Sequence, residues 1–590
     1  MKSIEFNEGR KAYLLPAAIN IIGCVLSILM IHLMNYSLLS IALAAVLFLA
    51  CQLGILIGLK PFEGIDNLKS HWLMFALTFL VLMRTLITLA QYVFRLDQIQ
   101  NYEMLGIALT VCVFYGIAVF FYIYLKSEIS FERFFLVQAV LFGTIFNLVF
   151  PVHEIADEPQ HMRTAYKLSN KFLGISDTGT DIHMRADDYA YDLSYPAYTY
   201  DDFNQYLESI SSPVKNEELV VAVDDTPWTP SLEYTRRPIA FNTQLYQYIA
   251  PALGITVGRL LHLNTVSMYL MGRFFSLFFY ILIMYISLKI IPVGKSLLYT
   301  IALFPMSIQL AASFSRDVFR ICIAVLVVAM TLRLFYGEEM EKKKLIPFVI
   351  ALIGAAGLLF PLRTYVYAVI SILPLLIWCY RKKWLSDRMI RIGAVILAVL
   401  FVGFIFAKYV IFPGNIVEEP QAWSTWMDEP RYTKEYFINH PLDMVAILRN
   451  TFWVNTIWFI DTMIGSSLGW LDIPVSNVLI RILFCILFVS VFARSYETKE
   501  LSRKLRFALF VLSVLSCLLM IVGITVTWTS VSFSYAEGMQ GRYFLPVILP
   551  LLLSFRGKGI TVSEKCDAIC ICSQFAVLIY VSELLMLRMF

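Results

Sequence analysis

Asp157 and Glu158 stand side by side in Val149-Phe150-Pro151-Val152-His153-Glu154-Ile155-Ala156-Asp157-Glu158-Pro159-Gln160-His161-Met162-Arg163, where a long apolar run gives way to the largest polar insertion of the chain. A carboxylate at such a boundary can take a proton from an attacking hydroxyl. Pro159 follows, and proline suits the first position of a helix. Met162, Ala165, Tyr166, Ser169 and Phe172 recur at helical spacing, and Gly174 is a plausible stop. The spacing predicts a short amphipathic helix beside the membrane surface, opened by the acid pair. In the plainer reading one acid is only the N-cap.

Three other charged groups belong with this pair. Ser315-Arg316-Asp317 forms a tight turn between two apolar runs, with Arg320 one helical turn further on. Arg363 lies in Pro361-Leu362-Arg363-Thr364-Tyr365, and Arg542 in Glu537-Gly538-Met539-Gln540-Gly541-Arg542-Tyr543. Charge at or within membrane helices is costly and marks functional candidates. Guanidinium groups recognise phosphate oxygens in a planar, bidentate way. Carboxylates and arginines gathered at one membrane face suit a lipid-linked phosphate substrate. Arg316 and Arg542 can alternatively be headgroup anchors. Gly538 and Gly541 favour a closely packed loop around Arg542 instead. Arg84 and Arg273, inside apolar runs, are expected to pair within the bundle or reach an interface.

The elements that must position these groups are membrane helices. The chain has 590 residues, 59% hydrophobic and 15% charged, with mean hydropathy +0.72. A soluble protein carries about 25% charged residues. Apolar runs long enough to span fall at 12–34, 36–58, 71–94, 103–125, 131–150, 268–291, 296–313, 317–336, 345–360, 364–380, 390–412, 475–494, 505–528, 541–556 and 567–587. The expected fold is all-α and polytopic, with about 14–15 transmembrane helices and a large extracytoplasmic loop after the fifth. Lys and Arg crowd one alternate set of short loops, including Lys342, Lys343, Lys344, Arg381, Lys382, Lys383, Arg503 and Lys504. That set should be cytoplasmic, with the N-terminus inside and residues 151–241 outside. No cleavable signal peptide is expected, because the first apolar run is long enough to span.

The insertion 151–241 carries sixteen acidic and seven basic residues. Its doublets Asp187-Asp188, Asp201-Asp202 and Asp224-Asp225 admit a divalent cation, but without regular spacing a solvated acidic loop is the expectation. Residues 242–263, broken by Pro251, Gly254, Gly258 and Arg259, read as an interfacial or re-entrant helix. Residues 440–470, with Trp453, Trp458 and Trp470, read as a helix at the outer surface. Most of the ten cysteines lie in apolar runs; Cys566, Cys570 and Cys572 read as small apolar residues rather than a metal site. There is no G-x-x-x-x-G-K-[ST] for nucleotide phosphates and no H-E-x-x-H for zinc. No metal ligand set is assigned, a divalent cation stays open as an alternative, and no nucleic-acid partner is expected.

The motifs occur in a fixed order: Asp157-Glu158-Pro159-Gln160-His161-Met162-Arg163-Thr164-Ala165, then Ser315-Arg316-Asp317, Gly469-Trp470-Leu471-Asp472 and Gln540-Gly541-Arg542-Tyr543-Phe544-Leu545-Pro546. Over about residues 130–556 this resembles a bacterial family of predicted membrane proteins with a domain of unknown function, distantly similar to GT-C glycosyltransferases. The resemblance implies accessory helices at 1–130, a GT-C-like membrane domain at 131–556 with extracytoplasmic segments 151–241 and 413–474, and a C-terminal loop and last helix at 557–590. It implies a bacterial plasma-membrane enzyme moving a sugar, with inversion, from a polyprenyl-phosphate donor to a cell-envelope glycan or lipid-linked acceptor, amid membrane lipids. Asp157 takes the place of the required acid, with Glu158 its neighbour in catalysis. His161, Arg163, Arg316, Asp317, Arg363, Gln540, Arg542 and Tyr543 are the candidate substrate-binding residues, Arg542 for its charge. The chain departs from the resemblance at Arg363, where lysine is expected. A lipid-linked glycan transporter or flippase, or a polysaccharide polymerase or ligase, is the alternative.

Overall fold

The computed structural model describes residues 130–177, 182–193, 214–222, 245–362, 372–381, 422–424, 429–493, 500–556 and 564–588, with isolated positions between 370 and 403. The four apolar runs expected before residue 130 lie outside the described residues, as do Arg363, Asp201-Asp202 and Asp224-Asp225.

Helix α1, Phe131–Val149, starts where the Ser130 side chain accepts from the Arg133 amide, and it ends before Pro151. A loop leads to α2, Glu158–Phe172. Gly174, at φ +74°, lies just past its end, the left-handed position that glycine tolerates best. The insertion then forms β1 (Ile182–Arg185), α3 (Ala186–Leu193) and β2 (Leu219–Ala222), with β1 and β2 antiparallel.

The insertion is therefore not simply a solvated acidic loop. Asp188 is fully buried, accepting from Arg185, the Tyr166 hydroxyl and the Thr265 hydroxyl. Asp187 accepts from the backbone amides of Lys215 and Asn216. The acid-rich composition conceals ties that fasten the insertion to the helices.

Residues 245–260 form a 3-10 turn and the helix α4, Ile249–Leu260, only 12 residues long. That is too short to span. It folds back on α5, Thr265–Ile290. Gly254 and Gly258 make the contact possible: a Cβ at Gly254 would meet the Met271 carbonyl and Gly272, and one at Gly258 would meet Met268. These glycines, which look like helix breakers in the sequence, are a small-residue packing face.

The run at 296–313 is not one span. It forms α6 (Lys295–Ala302) and α7 (Pro305–Ala311), separated at Leu303-Phe304. Phe304 is extended at φ −61°, ψ 142°, the conformation that a following proline imposes. After α7 come α8 (Asp317–Tyr336), α9 (Lys342–Leu359) and α10 (Leu373–Arg381). The hairpin β3–β4 (Ala422–Ser424, Glu429–Arg431) precedes α11 (Lys434–Asn439) and the long α12 (Pro441–Ile464). A second short hairpin, β5–β6 (Ser467–Leu468, Ile473–Pro474), leads to α13 (Asn477–Phe492), α14 (Arg503–Thr525), α15 (Leu545–Ser554) and α16 (Glu564–Arg588).

Among the described residues α1, α5, α8 and α14 are long and apolar enough to cross a membrane. One contiguous core joins these helices, and Arg273 and Glu158 lie wholly inside it. Cys570 and Cys572 are buried in α16. Among the described residues no group of three or more His, Cys, Asp or Glu side chains converges to hold a metal ion.

Candidate functional site

The candidate residues meet at one end of the bundle, where α1 ends and α2, α8 and α15 begin. Asp157 occupies the N-cap position of α2 in a left-handed conformation, φ 65°, and its side chain caps nothing. Its carboxylate turns outward and is 48% exposed. Oδ2 accepts from Arg542 Nη2 at 2.6 Å. The plain N-cap reading of Asp157 therefore fails on geometry.

Glu158 takes the opposite course and is completely buried. Its Oε1 accepts from Arg273 Nε at 2.8 Å and the Phe314 amide at 3.2 Å. Its Oε2 accepts from Arg273 Nη2 at 2.5 Å and the His153 amide at 2.9 Å. Arg273 also donates to the Phe150 and Pro151 carbonyls at 2.6 and 2.7 Å. Arg273 thus pairs inside the bundle. Glu158, named with Asp157 as a catalytic candidate, has no face open to a substrate.

Arg542 is placed by α12. Ala536 and Gly541 donate their amides to the hydroxyls of Thr451 and Thr462, at 2.8 and 3.1 Å. A Cβ at Gly541 would collide with the Phe459 carbonyl and the Met463 amide. The loop bearing Arg542 is thus pressed onto a helix, as Gly538 and Gly541 suggest in the sequence. Arg542 is 4% exposed, its guanidinium 5.3 Å from the centre of the Tyr543 ring, and its buried Nε has no hydrogen-bond partner. A headgroup anchor would lie in the open.

Arg316 is half-buried beside the same groups, near enough for Tyr248, Asp317, Tyr543 and Asp157 to act on its charge. The two carboxylates are bonded to other arginines: Asp157 to Arg542, and Asp317 to Arg320 at 2.9 Å. Arg320 also donates to Gln247 at 2.9 Å.

His161, on the first turns of α2, meets the Tyr248 hydroxyl through Nδ1 at 2.8 Å. Burial, then the charges of Arg316 and Arg542, push the imidazole down to about 3 against the pull of Asp157 and Asp317. Burial raises the Tyr248 phenol. A neutral imidazole and a protonated phenol share one hydrogen bond here, in which either group can be the donor, depending on the tautomer.

Arg163 points elsewhere, to Asp192 at 2.9 Å. Gln540 is half-buried, and its carbonyl accepts from the Tyr543 amide at 3.2 Å. The structure thus gathers Asp157, His161, Arg316, Asp317, Arg542 and Tyr543, and separates Arg163 and Glu158 from them. Tyr248 was missed in the sequence, where it is one tyrosine in an apolar stretch with no motif around it. The Gly469-Trp470-Leu471-Asp472 motif is tied to the segment before Asp157 and to α7. Trp470 Nε1 donates to the His153 carbonyl at 2.9 Å, and Gln309 receives the Gly469 amide at 2.9 Å.

No curated protein and no solved structure matches this chain. Residues 140–551, which contain every residue gathered at the site, match the family model described as predicted membrane protein DUF2142, and the chain belongs to that family.

Proposed function

We propose that this chain is a GT-C-type membrane glycosyltransferase. In this reading it moves a sugar from a polyprenyl-phosphate donor to a cell-envelope glycan or lipid-linked acceptor, on the extracytoplasmic face of a bacterial plasma membrane. The observation that carries it is the outward-facing Asp157 carboxylate held 2.6 Å from a buried arginine, Arg542, whose Nε is unpartnered.

The steps follow from the donors and acceptors present. The donor phosphate takes the guanidinium of Arg542 with Arg316 beside it, which frees Asp157. The acceptor hydroxyl attacks the anomeric carbon, and its proton goes to Asp157 as the new C–O bond forms. The bond from the anomeric carbon to the phosphate oxygen breaks, and the phosphate leaves as an anion held by the arginines. No second carboxylate is needed for a leaving group of this kind, in contrast to a glycosidase. That suits a site where Glu158 is sealed inside. In this reading His161 and Tyr543, beside the arginines, orient sugar or phosphate oxygens.

The test is single-turnover transfer from a synthetic polyprenyl-phosphate sugar by the purified chain in nanodiscs. Asp157→Asn should fold and lose about a hundredfold or more in rate, the scale of general base catalysis. A folded Asp157→Asn chain with full transfer would remove the base. Intact lipid-glycan translocation without transfer would favour a transporter.

A further inference from the structure

We propose that Glu158 and Arg273 form a positioning clamp that holds Asp157 in place for catalysis, and that neither residue touches the substrate. The inference rests on Asp157 being the base proposed above.

The local backbone needs such a device. His153 and Asp157, at φ 77° and 65°, both stand in the left-handed region. That region is unfavourable for residues with a Cβ and persists only where surrounding contacts enforce it. Glu158 follows Asp157 directly and receives the His153 amide at 2.9 Å, so one carboxylate reaches both ends of the strained segment.

The same side chain ties the segment to the helices. Through Arg273 it fixes the end of α1, by the Phe150 and Pro151 carbonyls. Through the Phe314 amide it fixes the entry to α8, two residues before Arg316. One buried carboxylate therefore ties the segment bearing the base to the end of α1 and to the entry of α8. With a longer fifth bond to the Asn147 carbonyl at 3.5 Å, all five guanidinium N–H groups of Arg273 can be spent, a capacity that a lysine lacks. Buried ion pairs are not an economical way to fill a core, since apolar residues of similar volume often do as well. What this pair supplies is direction, and an ångström of misplacement at a reacting group can cost a hundredfold in rate.

The experiment compares Arg273→Lys and Glu158→Gln with the parent chain in nanodiscs. Donor-binding sites are titrated with the polyprenyl-phosphate sugar, and turnover is expressed per binding site. The clamp predicts turnover per site at least tenfold lower, with donor affinity within threefold of the parent. A pair that serves stability alone would lower the number of sites and the melting temperature and leave turnover per site unchanged, which overturns the proposal. Failure of both variants to fold would likewise assign the pair to stability and overturn it.

A second arm needs no transfer. Asp157→Cys is made in a chain lacking its native cysteines and labelled with a soluble maleimide. Arg273→Lys should change that rate at least threefold and leave a cysteine at exposed Ser532 unaffected. An unchanged rate at position 157 overturns the clamp. If the parent chain transfers no sugar from this donor, the transferase reading fails, and the labelling arm still decides whether the clamp holds position 157.

Discussion

Two neighbouring carboxylates meet two arginines in opposite ways. Glu158 and Arg273 are both fully buried, and every oxygen of the acid is engaged. Asp157 is 48% exposed and touches Arg542 through a single oxygen, while Arg542 keeps a buried Nε with no partner. A pair with all its bonds made within the fold can act only through what it holds in place. A pair with bonds left over can accept a ligand. Adjacent residues on one backbone differ in this way because the left-handed turn at Asp157 points it outward as Glu158 enters α2.

The comparison breaks most sharply at Arg273. Arg273→Met should leave the Glu158 carboxylate buried without its cation. Removing one partner of a buried ion pair costs about 3–5 kcal/mol. Thermal melting should show this loss. A variant as stable as the parent would mean that Arg273 is not needed to hold Glu158 inside.

The exposed pair should respond in binding rather than stability. If Arg542 holds the donor phosphate as proposed, Arg542→Ala removes a charge-assisted contact worth about 1.5–3 kcal/mol, or roughly ten- to a hundredfold in affinity. Isothermal titration with a polyprenyl-phosphate sugar measures it. Unchanged affinity in a folded chain would take Arg542 out of the site.

Gly541 couples the two kinds of effect. Gly541→Ala places a Cβ against backbone atoms of Phe459 and Met463, which have no side-chain freedom with which to yield. Overpacking of this kind costs about 1–3 kcal/mol. The displaced loop carries Arg542, so melting temperature and donor affinity should fall together. A drop in stability with donor affinity intact would separate the loop from the site.

Much of this was legible in the sequence because charge is conspicuous in an apolar chain. Asp157, Arg316, Asp317 and Arg542 announce themselves at the ends of hydrophobic runs, and the structure brings them together. The helices at 131–149 and 317–336 follow from length and hydropathy. What was hidden depends on contacts distant in sequence. Nothing local distinguishes Glu158 from Asp157; only Arg273, more than a hundred residues away, draws one of them inward. Pro305 was overlooked because the run around it is apolar enough to hide a break. The acids of 177–192 looked solvated because composition does not reveal that Asp188 is enclosed by Arg185, Tyr166 and Thr265.

The smallest effect expected, counted per pH unit, lies in pH. His161 sits on the exposed side of the comparison, yet burial and then Arg316 and Arg542 hold its imidazole down at about 3. In the unfolded chain it titrates near its ordinary 6.5. Between those values the unfolded state binds a proton that the folded state refuses. Stability therefore falls as pH drops from about 6.5 toward 3, and His161 contributes no slope above 6.5. His153 is shifted in the same direction, chiefly by burial, and adds to the slope. His161→Gln keeps an amide that can bond Tyr248 and removes one titrating group. Its melting temperature should decline less steeply between pH 6.5 and 4 than the parent's, by at most about 1.4 kcal/mol per pH unit in free energy. Turnover of the parent chain should show no inflection from His161 between pH 5 and 7, because the imidazole is neutral throughout. Identical melting slopes in parent and variant would mean that the imidazole reaches solvent and that Arg316 lies too far away to influence it.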